Sequence, residues 1–149
     1  MFETDVAMEM KEINTRLAQL MQQKINKYDL RIGLVHLAML VKKYPEKNQK
    51  DLAKEMRFTE GAMSHSVKRL IKEDILRQTP LDTDMRYNRL EITNKGTKFI
   101  KDYERYILKV YKDIFVGFEE NELDKLNQFL KRINANLEEI SNNEDLETK

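Results

Sequence analysis

At 149 residues the chain has the length of one domain, or of one domain with extensions. Glycine (4) and proline (2) are scarce while 36% of residues are charged, a balance that favours long helices over turn-rich β architectures. The 27 basic and 26 acidic side chains nearly cancel overall, yet the net is +1 over residues 1–46, +4 over 47–105 and −4 over 106–149. A basic centre between a neutral and an acidic end suits a nucleic-acid-binding segment flanked by association elements, although ordinary surface variation produces the same pattern.

A first helix is expected from about Asp5 to Lys27, with Val6, Met10, Ile13, Leu17, Leu20 and Met21 at the spacing of one apolar face. A second, from about Arg31 to Lys43, is apolar nearly all round, so it should be central to the fold, and Pro45 stops it. A short third helix, about Gln49 to Met56, starts at Asn48 with Asp51 three residues on, an incomplete capping-box pattern. Thr59 caps a fourth helix of about fifteen residues after a turn of only three residues, Arg57 to Thr59, and two short helices so joined form a helix-turn-helix.

Two extended stretches, Ile75 to Thr79 and Arg89 to Thr93, flank a polar loop and read as a hairpin wing over about 80–88. Helical spacing then returns through Phe99, Tyr103, Tyr106, Val110, Ile114, Phe115 and Phe118, with Gly117 a weak point. Asn121 is expected to cap a last helix carrying Leu123, Leu126, Phe129, Leu130, Ile133, Leu137 and Ile140. From Ser141 an acidic, frayed tail is expected.

The fold class is therefore mainly α with a small β-hairpin wing. An N-terminal dimerisation helix (1–30), a winged helix-turn-helix lobe (31–96), C-terminal dimerisation helices (97–141) and a tail (142–149) divide the chain. The apolar faces of the end helices exceed what a small wing domain can cover, and pairing with a second chain would remove them from water. A larger monomeric helical domain is the competing account.

Projected at 100° per residue, the helix at about 59–73 has Met63, Val67, Leu70 and Ile71 on one side. Gly61, Ser64, His65, Lys68 and Lys72 lie on the other, with Arg69 on the flank. Small polar residues near the helix start and cations further along suit insertion into a major groove, Ser64 and His65 toward base edges, Lys68 and Lys72 toward phosphates. A plain amphipathic surface helix has a polar side as well; the tight turn and the wing favour the DNA reading. His36, inside the apolar second helix, should be a hydrogen-bonded core residue, with the polar anchor of a small-molecule pocket as the alternative.

The run Asn48-Gln49-Lys50-Asp51-Leu52-Ala53, the helix Thr59 to Leu70, the wing Asp84-Met85-Arg86 and the stretch Leu90-Glu91-Ile92-Thr93-Asn94-Lys95-Gly96 together resemble the MarR family, winged-helix transcriptional regulators of bacteria and archaea. The resemblance implies a homodimer on double-stranded DNA, a recognition helix whose DNA-facing residues include Thr59, Gly61, Ser64, His65, Lys68, Arg69 and Lys72, and an Arg86 at the minor groove or phosphates braced by Asp84. A surface ion pair is the simpler reading of Asp84 and Arg86. The resemblance also implies a ligand-responsive regulator, with a repressor favoured, whose small-molecule effector binds where dimer helices meet the DNA-binding lobe.

Two positions depart from the family pattern: Asp74 stands where a glycine is usual and a left-handed cap is expected, and Met85 where many relatives are basic. These departures and the balanced charge motivate the alternative of a protein-interaction module that kept the winged fold. An enzyme is the weakest reading, since no nucleophile–base spacing, glycine-rich phosphate loop or metal-ligand cluster is present; no cofactor and no metal are expected. The absence of cysteine excludes disulfides, thiol catalysis and thiolate zinc sites. The mixed-charge start, Met1 to Lys11, is not a signal peptide, and the longest apolar stretch, Leu34 to Val41, is too short to span a bilayer. A soluble cytoplasmic protein without a membrane partner is expected.

Overall fold

The computed structural model describes residues 1–79 and 87–147, and the chain divides into two units, Met1–Lys109 and Val110–Lys149. In the first, α1 (Phe2–Ile25) passes through a single 3-10 turn (Asn26–Tyr28) into α2 (Ile32–Lys43). Arg31 offers no side-chain cap to α2, and Gln22 of α1 supplies one. Its carboxamide accepts from the Ile32 N–H at 3.2 Å and donates to the Leu30 carbonyl at 2.8 Å. Asp29 turns the chain there in the left-handed region, φ 53°.

α3 (Gln49–Met56) begins with both halves of a capping box. Asn48 Oδ1 accepts from the Asp51 N–H at 2.9 Å, and the Asp51 carboxylate accepts from the Asn48 N–H at 3.2 Å. The pattern that looks incomplete in the sequence is complete, because the shorter aspartate still reaches the cap. Arg57 closes α3 with φ 56°, and α4 (Glu60–Lys72) starts at Thr59, whose hydroxyl accepts from the Ala62 N–H at 3.1 Å. The three-residue turn is as the sequence predicts.

β1 (Leu76–Thr79) and β2 (Arg89–Ile92) pair antiparallel, Leu76 opposite Ile92 and Thr79 opposite Arg89. The expected hairpin is present, each strand one residue shorter than its apolar stretch. A bridge between Asn48 and Arg89 ties its far end to the start of α3. Residues 80–86 of the wing, with Asp84, Met85 and Arg86, lie outside the described residues.

One buried cluster holds this unit together. It joins Val35, Leu37, Ala38 and Val41 of α2, Leu52 of α3, Met63, Val67 and Leu70 of α4, Leu76 and Leu90 of the hairpin, and Phe99, Ile100 and Tyr103 of α5 (Asn94–Ile114). Tyr28 meets Phe99 edge to face, ring centres 4.5 Å apart.

The junction between β2 and α5 is a hub of polar contacts. Thr93 donates its hydroxyl to the Asp74 carbonyl at 2.6 Å, accepts from the Gly96 N–H at 2.9 Å as the cap of α5, and donates its own N–H to the Ile75 carbonyl at 3.0 Å. Lys95 Nζ donates to the Glu73 carbonyl at 3.0 Å. Asp74 has φ 58°, so the left-handed cap expected there exists, carried by a residue that tolerates it less well than glycine. The T-x-K-G stretch is thus a clamp that holds the hairpin base on the end of α4.

In the second unit, which begins at Val110 within α5, a turn with Gly117 at φ 89° leads to α6 (Glu120–Glu147). The Glu119 N–H donates to the Glu122 carboxylate at 2.9 Å, and the Glu119 carbonyl accepts from the Leu123 N–H at 3.1 Å. The cap is therefore Glu119, and Asn121 lies inside the first turn, because a glutamate pair here does the work expected of asparagine. The helix also continues through Ser141 to Glu147, where a frayed tail is expected from the sequence.

A Cβ placed on Gly96 would stand 2.3 Å from the Ile75 carbonyl oxygen and 2.9 Å from Ile92 Cγ1. The first contact is backbone and cannot step aside. Gly96→Ala should therefore destabilise the fold by about 2–3 kcal/mol, seen as a melting temperature lowered by roughly 5–10 °C in thermal denaturation.

Candidate nucleic-acid interface

α4 is anchored from within: Met63, Val67 and Leu70 are each at most 1% exposed. This inner face is as the helical projection expects, except that Ile71 reaches the surface and Ser66 takes an inner place. Ser66 meets the demand of burial by donating its hydroxyl to the Ala62 carbonyl at 2.8 Å.

The remaining positions fall into two groups. Gly61, His65, Lys68 and Lys72 are exposed, and Ser64 is half-buried at the edge of the same face. Lys68 and Lys72 have no hydrogen-bond or ion-pair partner among the described residues. Nothing stands within 4 Å of a Cβ built on Gly61, so the fold itself does not require glycine there.

Two of the expected DNA-facing residues are engaged within the protein. Thr59 spends its hydroxyl on the helix cap. Arg69 pairs with the Asp29 carboxylate, donates to the Asp29 carbonyl at 3.0 Å and lies 3.5 Å from the Glu73 carboxylate. It ties the recognition-type helix to the turn between α1 and α2, a use that the sequence does not reveal because Asp29 is forty residues away.

Sequence reasoning also missed Gln49. This first residue of α3 is only 3% exposed, and its Nε2 donates to Ser64 Oγ at 3.3 Å. The available signal is an amide at the start of the helix before the tight turn, where a solvent-facing residue would be ordinary. Nearby, Lys50 Nζ sits 5.7 Å from the centre of the Tyr87 ring, at the point where the wing returns to the fold.

His36 is exposed, not a core residue. It shares the outer strip of α2 with Gly33 and Lys43, a strip that the nearly uniform apolarity of the helix hides in the sequence. Together with Met39, Leu40, Met56 and the Lys42–Glu104 pair (3.8 Å apart), it lines an open and mostly apolar hollow of about 620 Å³. Among the described residues no group of three or more His, Asp or Glu side chains could hold a metal ion, and no helix is long and apolar enough to cross a membrane.

Residues 29–96 match the family described as a winged helix DNA-binding domain. Several solved structures share the arrangement over nearly their whole length. FabT of Streptococcus pneumoniae, solved in complex with DNA, is 18% identical with a TM-score of 0.80, covering 93% of this chain and 99% of its own. MarR of Staphylococcus aureus, solved with salicylate and kanamycin, is 13% identical with a TM-score of 0.82, covering 93% and 94%. A MarR transcriptional regulator from Methanosarcina mazei Go1 is 18% identical with a TM-score of 0.72, covering 92% and 99%. With a helix-turn-helix, a clamped hairpin and flanking long helices all in the same order, this chain carries a winged helix DNA-binding domain in the fold of the MarR-type regulators.

Proposed function

We propose that the chain is a homodimeric, sequence-specific DNA-binding transcriptional regulator, a ligand-responsive repressor acting in the cytoplasm. The observation that carries the reading is the divided surface of α4, with small and polar residues near its start, unpaired lysines further along, and a rigid apolar back. Ser64 and His65 face base edges, Lys68 and Lys72 phosphates, and Gly61 lets the backbone approach the groove. Arg86 of the wing reaches the minor groove and Asp84 braces it. Arg69 and Thr59 serve the site from behind, by holding α4 in place.

Homodimerisation is supported by the apolar side chains that this chain leaves in water. Phe2, Val6, Ile13 and Leu20 of α1 are exposed, as are Phe129, Leu130, Leu137 and Ile140 of α6. Exposed apolar surface on this scale is the mark of an interface. A two-fold dimer sets two recognition helices about 34 Å apart and calls for a pseudo-palindromic site. The salicylate complex of the S. aureus relative supports a small-molecule effector. The hollow beside His36 is where it would bind, shifting the population between DNA-competent and incompetent dimers.

Selection of bound duplexes from a random pool tests the whole reading. It should return a palindrome, and equal affinity for selected and random duplexes would favour a protein-interaction module instead. Lys68→Ala should weaken binding across all sequences and lower the slope of log K against log salt by about 1, with Arg86→Ala likewise unselective. Gly61→Ala should raise the stability of the free protein by about 0.5–1 kcal/mol in thermal denaturation while reducing affinity for the selected duplex. Arg69→Met should cost about 1 kcal/mol of stability and leave the salt slope of DNA binding unchanged, in contrast to Lys68→Ala.

A further inference from the structure

We propose that Gln49 is a positioning residue that fixes the hydrogen-bonding polarity of Ser64, so that Ser64 meets DNA as a donor and selects an acceptor on a base edge. The inference rests on the reading of α4 as the recognition helix.

A serine hydroxyl has one hydrogen to give and two lone pairs to offer, so a freely turning serine accepts either kind of partner and discriminates little. Ser64 is not free in this way. The Gln49 amide nitrogen donates to its Oγ at 3.3 Å, and an amide NH₂ has no lone pair with which to take the hydroxyl hydrogen in return. Ser64 donates to nothing among the described residues. Ser66, two positions on, shows the contrast: its hydrogen is spent on the Ala62 carbonyl inside the helix. Of the two serines on α4, only Ser64 keeps a hydrogen for a partner outside the protein.

Gln49 is itself held on several sides. Its N–H donates to the Asn88 carbonyl at 3.1 Å, and the preceding Asn48 caps α3 and bridges to Arg89 at the base of the wing. The side chain is buried, and its Oε1 has no hydrogen-bond partner, so its single polar anchor is Ser64. A buried carboxamide with an unpaired oxygen is a worse packing residue than a methionine of like length. A role in packing alone does not account for glutamine here; orientation of Ser64 does.

The partner chemistry follows from the major-groove code. Purine N7, guanine O6 and thymine O4 accept, whereas cytosine N4 and adenine N6 donate. A Ser64 locked as donor favours a base pair that presents an acceptor at its position and penalises one that presents an amino group there.

The test uses the full chain and the duplex recovered by selection. Ser64→Ala first identifies the base pair whose preference depends on the hydroxyl. At that pair the major-groove acceptors are then altered one at a time, with 7-deaza purines for N7 and 4-thiothymine for O4. The wild-type chain should lose about 3- to 10-fold in affinity on one of these analogues, and Ser64→Ala should be indifferent to the same analogue. Gln49→Met, shown to be folded by circular dichroism, should lose the preference at this base pair and at no other, and the double variant should lose no more than either single one.

The inference is overturned if the Ser64-dependent preference follows a base amino group, if folded Gln49→Met keeps it, or if Gln49→Met weakens every position alike. Should Gln49→Met fail to fold, the analogue series on wild type and Ser64→Ala decides alone. A wild-type selection that enriches no sequence removes the DNA reading itself and this inference with it. One that enriches a sequence without a Ser64-dependent position removes only the inference.

Discussion

The burial of Met63, Val67 and Leu70 between α2 and the hairpin is the constraint on which the rest of the DNA-facing surface depends. Side chains of this kind contribute roughly 1.5–3 kcal/mol each when fully buried, and here all three project from one side of a thirteen-residue helix. With that side fixed, the rotation of α4 about its own axis is fixed too. Where the opposite side points is then no longer a matter for the polar residues that occupy it. They can be chosen for what they touch outside the protein, because they carry little of the fold.

The polar residues around α4 divide accordingly. Thr59, Ser66 and Arg69 use their hydrogen-bonding capacity within the protein, on a cap, a helix carbonyl and the Asp29 turn. His65, Lys68 and Lys72 stand outside these internal contacts. Ser64 lies between the two groups, half engaged and half presented. A polar side chain near a groove-sized surface is thus informative only after its internal commitments are subtracted. The helical projection cannot make that subtraction, since it sees spacing but not partners.

This explains which features were legible in the sequence. The limits of α3, the three-residue turn, the start of α4 and the two strands follow from capping chemistry and apolar period, which act over a few residues. The left-handed Asp74 was legible too, from a glycine position filled by another residue. Arg69 was misleading because its partner Asp29 is distant in the chain. His36 was misleading because a helix apolar on most sides gives no periodic sign of which strip faces outward. Asn121 and the end of α6 were misplaced because a glutamate can cap, and because a run of Asn, Asp and Glu sustains a helix as readily as a tail.

The clamp at Thr93 and Gly96 has a bearing on how such a molecule can diverge. It secures the hairpin at its base, through contacts of β2 and α5 with the end of α4, and the Asn48–Arg89 bridge holds the opposite strand end. Strand register is therefore set on both sides of the connection between Thr79 and Tyr87, and the connection itself does not set it. Closing a flexible loop grows costlier only slowly with length, by about 0.6 kcal/mol per doubling. The wing tip can accordingly lengthen, shorten or change its charge over generations while the lobe that carries it keeps its shape, so that target preference can drift without passing through unstable intermediates.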